Sequence, residues 1–398
     1  MANEKRGVKE LRKIFTMASV ALLSLSLVTG CGTTAASKAA EVVKVGGDLE
    51  LSGGTAMFGQ AAEKAIKLAF DQQNSKGGVL GGKKLEYVSA DNKSDAGEST
   101  ASATKLASQD KVVAILGPMT SGDTLAAAQV VTDSKVPLIT PTGTADKVTV
   151  ENGQVKPWIF RACFIDPFQG QVAANFASDN LKLKKAALFI DQKGDYSKGL
   201  AAAFEENFKK SGGQIVAKEQ YVAGSDKDFR ATLTRIKAAN PDVVFVPGYY
   251  QEVGLIVKQA REMQMNQVFL GGDGWGSPQL VDVAGKTPLE NTYYVNHGAM
   301  DDPGMAQFIK DYKAKYNEDP DTFAALGYDA ANMLIKAIES AGSTDGEKLR
   351  SALENTKGFQ GVSGKLTVDP KTHNPVKSAA ILQFKDGKSV FVTKIDPK

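Results

Sequence analysis

Hydroxyl-bearing residues follow two apolar runs of this sequence, at points where parallel strands would end. Ser121 follows the run Val112–Leu116, and Thr142 and Thr144 follow Val136–Thr140. Ligands of open α/β sheets bind beyond the carboxyl ends of strands, often at helix N-termini. A hydroxyl with neighbouring backbone N–H groups at such a point could bind a carboxylate. The same residue types are also favoured as ordinary helix caps and turns, so spacing alone leaves both interpretations open.

Three further polar residues occupy equivalent positions in the second half of the chain. They are Tyr196, Tyr249 and Asp273, which follow the runs 185–190, 242–247 and 268–270. A tyrosine at such a place could instead lie on the rim of a cleft. Asp273 lies between two glycines, and its side chain could bond its own backbone in an Asx turn.

The elements that must position these residues form a repeating pattern. From Val42 onward, short β-rich runs alternate with helical patterns of about ten to fifteen residues, which is typical of βαβ units and parallel sheets. The alternation restarts after Trp158–Pro167, which predicts an α/β fold of two doubly wound lobes. The tail is mostly helical over Pro303–Lys357 and ends in a hairpin at Lys385–Lys388. Such a tail cannot form a third core, so we expect the lobes to share it and the chain to cross between them more than once.

Composition excludes several classes of protein. The chain has 398 residues with 42% hydrophobic and 23% charged residues, which is typical of a globular protein of two or three domains. The formal net charge of +3 is too small to indicate nucleic-acid binding. Two cysteines and two histidines cannot support a disulfide scaffold, a zinc site or chemistry built on a histidine cluster. We interpret Cys163 as a buried apolar residue.

The N-terminal region has the layout of a secretory signal. Residues 1–30 carry five basic and two acidic residues, an apolar run and small residues before Cys31, so the basic excess of the chain belongs to this leader. The segment Val28–Cys31 resembles the lipobox of bacterial lipoproteins, in which cleavage precedes lipidation of the cysteine. Residues 31–41 are small and polar and suit a flexible tether. A plain signal anchor with a chance cysteine is the alternative.

Enzyme signatures are incomplete in this chain. Gly285–Thr287 resembles the end of a P-loop, but Leu280 occupies the position of its first glycine. The glycine-rich segment 271–276 lacks dinucleotide-binding spacing, and Ala96 replaces the glycine that a calcium loop containing Asp91 and Asp95 would need. No nucleophile elbow precedes a suitable helix. We therefore predict no enzymatic activity, no metal and no cofactor.

Five segments, in order along the chain, carry a family resemblance. They are Leu51–Gln60 (LSGGTAMFGQ), Asn74–Gly82 (NSKGGVLGG), Gly117–Gly122 (GPMTSG), Ile139–Thr144 (ITPTGT) and Val246–Tyr250 (VPGYY). Together they resemble the type I periplasmic binding proteins of branched-chain amino-acid ABC transporters. The resemblance implies two lobes joined by three crossings, with residues 42–161 and 298–377 in lobe 1 and residues 162–297 and 378–398 in lobe 2.

The resemblance also implies roles for the residues at the strand ends. Ser121 and Thr144 would hold the ligand carboxylate, and the Thr142 carbonyl would accept from its ammonium. Tyr196 matches a tyrosine that the family places at the cleft. Independently of the resemblance, Asp273 is the expected anion for the ammonium, because the other polar candidates at the strand ends are neutral.

The remaining candidates are aromatic or apolar. Phe58 and Trp275 could wall an apolar pocket, and core packing is the alternative for both. Met119 and Tyr249 complete the predicted set of ligand-binding residues.

The expected function is an extracytoplasmic, lipid-anchored, monomeric receptor that captures a branched-chain or other apolar α-amino acid. Its partner would be a membrane permease driven by a cytoplasmic ATPase. A sensory module that signals through a membrane partner would have the same fold, so it remains an alternative. A hydrolase is the third hypothesis, which incubation with amides or peptides would test.

Overall fold

A computed structural model describes residues 41–397. In chain order the strands are β1 (Val42–Leu49), β2 (Lys84–Asp91), β3 (Ile115–Leu116), β4 (Leu138–Thr140), β5 (Val150–Glu151), β6 (Gln154–Val155), β7 (Ile159–Arg161), β8 (Lys185–Asp191), β9 (Gln214–Tyr221), β10 (Val243–Phe245), β11 (Val268–Gly271), β12 (Thr292–Asn296), β13 (Phe359–Gly361), β14 (Gly364–Val368), β15 (Pro375–Val376), β16 (Ala379–Lys385) and β17 (Lys388–Ile395). The α-helices are α1 (Ala56–Ser75), α2 (Ala96–Lys105), α3 (Ser121–Ser134), α4 (Asp166–Asn175), α5 (Asp195–Lys210), α6 (Arg230–Ala238), α7 (Tyr250–Glu262), α8 (Gln279–Ala284), α9 (Ala306–Tyr316), α10 (Thr322–Ala341) and α11 (Gly346–Glu354). Single π-helical turns extend α2 and α4.

Two sheets organise the molecule. The first has the order β2-β1-β3-β4-β7, and all of its pairings are parallel. The second has the order β17-β16-β12-β11-β10-β8-β9. Its five strands from β12 to β9 are parallel, and the C-terminal hairpin β16–β17 adds two antiparallel strands at one edge. The predicted fold of two doubly wound α/β lobes is confirmed.

The tail is divided between the two sheets. Helix α10 packs on α1 beside the first sheet, while β16 and β17 extend the second sheet. The chain therefore passes between the sheets three times, after β7, after β12 and after β15. The prediction that the lobes share the tail is confirmed.

Burial explains why the central strands carry uninterrupted apolar runs. Strands β3, β4 and β10 are buried at every position, because helices cover both faces of each parallel sheet. Within residues 41–397, no helix is both long enough and apolar enough to cross a membrane.

Candidate functional site

A small enclosed cavity lies between the carboxyl ends of the two sheets. Its empty volume is about 220 Å³, and its lining is formed by Phe58, Met119, Thr142, Thr144, Tyr196, Tyr249, Asp273, Gly274 and Phe323. Seven of these nine are residues that the sequence analysis selected. A larger cleft of about 1350 Å³ lies beside the β16–β17 hairpin, and it contains none of the selected residues.

The first sheet contributes hydroxyl groups from the loops after β3 and β4. Thr142 Oγ1 donates to the Met119 carbonyl at 2.6 Å, so this hydroxyl joins the two loops. Thr144 Oγ1 is buried and has no hydrogen-bond partner among residues 41–397. A buried hydroxyl without a partner is costly, so Thr144 is the polar group on this side that a ligand would satisfy.

Ser121 lies close to this loop but does not line the cavity. It is the first residue of α3, and its Oγ accepts from the Ala145 N–H at 3.0 Å. The N-cap of α3 is Thr120, whose Oγ1 accepts from the Asp123 N–H at 3.2 Å. Ser121 therefore supports the loop that carries Thr144.

A buried arginine holds the same loop from behind. Arg161, at the end of β7, donates from Nη1 to the Gly143 carbonyl at 2.7 Å and from Nη2 to the Ala145 carbonyl at 3.0 Å. Its side chain is completely buried. Nothing in the sequence pattern distinguished Arg161, because its partners are main-chain carbonyls of a loop far from it in sequence.

The second sheet contributes two stacked tyrosines. The rings of Tyr196 and Tyr249 are nearly parallel, with centroids 5.2 Å apart. Tyr196 is the second residue of α5, and its hydroxyl accepts from the Gly274 N–H at 3.3 Å. Only 3% of Tyr196 is exposed, so it lies inside the closed cleft rather than on a rim. Burial, with smaller effects of Asp273, raises the pKa of both phenols, so they remain hydrogen-bond donors.

Asp273 is the acidic residue of the cavity lining. It begins a single 3₁₀ turn after β11 and is 4% exposed. Its Oδ1 accepts from Gln169 Nε2 at 3.0 Å, and its Oδ2 lies 3.0 Å from His297 Nε2. The Asp273 N–H donates to Gln169 Oε1 at 2.8 Å. The carboxylate is thus held by two side chains rather than by its own backbone, which excludes the Asx turn as the reason for an acid here.

Aromatic side chains form the apolar wall. Phe58, from α1, stacks on Phe323, from α10, with centroids 3.9 Å apart. Phe58 also meets Tyr249 edge to face at 5.6 Å across the cleft. The sequence analysis missed Phe323, because it is one of many apolar residues in the long helix α10.

Trp275 does not line the cavity, although the sequence analysis placed it among the possible walls. Its indole is fully buried, and Nε1 donates to the Val246 carbonyl at 3.0 Å. The ring packs against Gly271 and Tyr294 in the core of the second sheet. Trp275 is therefore a core residue, which is the other interpretation that the sequence left open.

Cys163 follows the first passage between the sheets and is fully buried as a free thiol. Burial raises its pKa to about 12, so it remains protonated and unreactive. Cys31, the predicted lipidation site, lies outside the described residues.

The cavity therefore favours a negatively charged group on one side and a positively charged group on the other. On one side is the Thr144 hydroxyl, which has no partner among residues 41–397 and can donate to an anion. On the other side is a buried carboxylate, which favours a cation. Aromatic rings, among them Phe58 and Phe323, line the same cavity. This arrangement suits a small zwitterion with an apolar substituent.

Comparison with known proteins agrees with this geometry. The sequence profile of the periplasmic binding protein family matches residues 42–389. A leucine-, isoleucine-, valine-, threonine- and alanine-binding protein of Pseudomonas aeruginosa is 31% identical over 92% of this chain and 94% of its own length.

Two solved structures are similar in both sequence and fold. The branched-chain amino-acid transporter substrate-binding protein LivJ of Streptococcus pneumoniae, in complex with isoleucine, has a TM-score of 0.84 and 39% identity, over 90% of this chain and all of that one. The leucine-binding protein LivK of Thermotoga maritima has a TM-score of 0.83 and 36% identity, over 89% and 99% of the two chains. On these matches, which span nearly all of the described residues, the chain belongs to the periplasmic binding protein family.

Proposed function

We propose that this protein is the substrate-binding component of an ABC importer and that it captures an apolar α-amino acid between its two lobes. One observation carries the proposal: a buried carboxylate, Asp273, and a buried hydroxyl without a partner, Thr144, face one enclosed cavity. The relatives that bind leucine, isoleucine and valine support the same ligand class.

Each polar group has a part in this proposal. The ligand carboxylate accepts from Thr144 and from the loop that Ser121 and Arg161 support. The ammonium is neutralised by Asp273 and also donates to the Thr142 carbonyl. The hydroxyls of Tyr196 and Tyr249 enclose the main-chain end of the ligand. Polar partners are needed there because an unpaired charge in a closed site costs several kcal/mol.

The apolar side chain of the ligand packs against Phe58, Phe323 and Met119.

A thermal-shift screen of the twenty amino acids tests the proposal. A ligand at about 100 times its Kd stabilises the folded state by about 2.7 kcal/mol, which raises the Tm of a protein of this size by several degrees. We expect leucine, isoleucine or valine to give the largest shift. Isocaproate lacks only the ammonium of leucine and isopentylamine lacks only its carboxylate, so neither should give a comparable shift. A screen in which no amino acid raises the Tm would contradict the proposed function.

We further propose that Cys31 carries the lipid anchor and that the receptor acts as a monomer outside the cytoplasm. The basic and apolar leader and the small residues before Cys31 support this proposal.

A further inference from the structure

His297 connects the binding cavity to the second passage between the sheets. It follows β12 directly, and its side chain is 1% exposed. The imidazole stacks on Phe164, near the first passage, with centroids 3.8 Å apart. The ring is therefore fixed by packing rather than free to turn.

The contacts of the ring assign its tautomer. Nε2 lies 3.0 Å from Asp273 Oδ2, while Nδ1 is buried without a hydrogen-bond partner in the described part of the chain. An ionised carboxylate only accepts hydrogen bonds, so the nitrogen that faces it must carry a hydrogen. The single hydrogen of a neutral imidazole is therefore on Nε2, and Nδ1 is unprotonated.

The charge of the His297 ring determines whether the negative charge of Asp273 is available to a ligand. Burial lowers the pKa of His297, the contact with Asp273 opposes this effect, and Lys377 lowers it further, so the ring is neutral near pH 7. Gln169, the other side chain on the carboxylate, is also neutral. Both side chains that hold Asp273 are thus uncharged donors, so neither of them neutralises its charge.

We propose that His297 is a positioning residue for ligand binding: its neutral Nε2–H orients the Asp273 carboxylate and leaves its charge to be neutralised by the ligand ammonium. The inference rests on the proposed function and extends it to a residue that does not line the cavity. Gln169 holds the other carboxylate oxygen and completes the support.

Protonation of His297 should then compete with the ligand. A proton on Nδ1 converts the ring to a cation 3.0 Å from Asp273, so the ammonium meets a neutralised pair. The ligand, in turn, disfavours the protonated ring, so binding releases a proton in acid. Affinity is therefore constant above the pKa of His297 in the free protein and falls by up to about tenfold per pH unit below it.

Other charged groups near the ring are few. Asp273 and Lys377 act on it directly, and the cleft that His297 lines on its other side also contains Asp301, Asp302, Lys365 and Lys394. The last four are matched in charge, which leaves Asp273 as the dominant partner.

The experiment measures the Kd of leucine by calorimetry for wild type and two variants, from pH 7.5 down to one pH unit below the pKa that nitrogen NMR of the free protein gives for His297. H297Q retains an amide N–H for Asp273 but cannot take up a proton, so its Kd should stay flat where that of wild type rises in acid. H373Q is the matched control, because His373 is the other histidine of the chain and stacks on Phe160, outside the cavity lining. H373Q should reproduce the wild-type profile, and equal pH profiles for wild type and H297Q would overturn the inference.

A second measurement needs no ligand and no H297Q protein. With two imidazoles in the chain, nitrogen NMR of the free protein resolves both rings. We expect His297 to be the Nε2–H tautomer and D273N to lower its pKa, because the variant removes the carboxylate that favours the proton. An Nδ1–H tautomer, or a pKa unchanged by D273N, would overturn the inference. Failure of every amino acid to bind at pH 7.5 would instead contradict the proposed function, and the ligand-free spectra would still decide the role of His297.

Discussion

The variant D273N replaces one carboxylate oxygen of Asp273 with an amide nitrogen and so removes the negative charge from the site. Asn fits the same space, because its amide oxygen still accepts from Gln169, and its amide nitrogen can donate to His297 in the other tautomer. We therefore expect D273N to fold normally and to weaken amino-acid binding by about 2–5 kcal/mol, the cost of breaking a buried charge pair. Calorimetric titration of the best ligand from the screen measures this loss.

D319N is the control for that prediction. Asp319 is an exposed acid paired with Lys313 at 2.7 Å, so its neutralisation changes the net charge equally without changing the cavity. An affinity of D273N within threefold of wild type would mean that the ammonium is held elsewhere.

Asp48 makes the stability of the first lobe dependent on pH. It is fully buried, and it accepts from Ser99 Oγ at 2.9 Å and from Asn92 Nδ2 at 3.1 Å. Burial raises its pKa to about 8, so folding is favoured while Asp48 is protonated, and stability falls as the pH rises from about 4 to about 8. The loss is up to about 1.4 kcal/mol per pH unit. D48N keeps both hydrogen bonds without a charge, so its free energy of unfolding in urea should change less over this range.

An acid with the opposite shift gives the control for D48N. Hydrogen bonds from Ser52 and neighbouring main-chain N–H groups outweigh the effect of burial at Asp91 and lower its pKa. Asp91 thus stabilises the protein above its unfolded-state pKa, and this contribution disappears in acid. D91N should be destabilised most at neutral pH. Parallel pH profiles for wild type and D48N would show that Asp48 ionises in the folded protein near its ordinary pKa.

The rule that ligands bind beyond strand ends identified Thr144 and Asp273 from sequence, because both lie within four residues of the end of a strand. It did not find Gln169, Phe323 or His297. Gln169 and Phe323 reach the site from α4 and α10, which are brought to it only by tertiary packing. His297 follows β12, a strand that the sequence analysis did not predict. No local pattern records such contacts.

At the scale of elements, the packing of α1 on α10 positions the aromatic wall. Phe58 and Phe323 stack at one level, and one turn further along both helices Ala62 faces Gly327. A Cβ added at Gly327 would lie 2.8 Å from Ala62 Cα, so the helices could not keep their separation. We expect G327A to cost about 1–3 kcal/mol of stability and to weaken leucine binding, because Phe58 and Phe323 move with the helices.

G199A is the matched control in helix α5. Gly199 is exposed, and its nearest neighbour for an added Cβ is Asp166 Oδ2 at 3.7 Å, an ordinary contact. Alanine is the better helix former, so G199A should gain about 0.5–1 kcal/mol. Thermal unfolding and calorimetric titration of both variants check this pair, and a G327A protein as stable as wild type would contradict the close approach.

Element types were predictable from sequence, but several bounds were not. The run Val136–Thr140 predicts a five-residue strand, whereas β4 begins at Leu138. Pro137 has no N–H to donate, although its carbonyl accepts from the Ile115 N–H at 2.9 Å, so regular pairing starts after it. The apolar character of a run thus indicates a buried strand, while the hydrogen-bonding capacity of each residue sets where the strand begins.

At the scale of the whole molecule, the proposed anchor depends on one residue outside the described chain. We expect the Cys31→Ala variant to lose fatty-acid incorporation, because the sulfur is the proposed site of acylation. Metabolic labelling with a fatty acid measures this loss. Cys163→Ala is the control, since that thiol is fully buried and should not be labelled. Equal labelling of wild type and Cys31→Ala would contradict the lipoprotein assignment.

The structure has the two lobes in contact across the cavity. Phe58 meets Tyr249 and Tyr250, at 5.6 and 5.4 Å between centroids, and Lys147 Nζ lies 2.7 Å from Asp195 Oδ1. The ion pair is partly exposed and contributes little. Closure without ligand would bury the Asp273 charge without a counter-charge and the Thr144 hydroxyl without a partner, so the free protein should favour an open arrangement.

We therefore predict that ligand binding rotates the lobes toward each other about passages near Arg161–Ala162, His297–Gly298 and Lys377–Ser378, the hinge closure known for periplasmic binding proteins. Small-angle scattering should give a smaller radius of gyration with saturating leucine than without it. D273N at the same leucine concentration should keep the larger radius, because it lacks the charge that ties ligand binding to closure. A wild-type radius unchanged by saturating ligand would mean that the lobes are already closed in the free protein and that ligand binding does not move them.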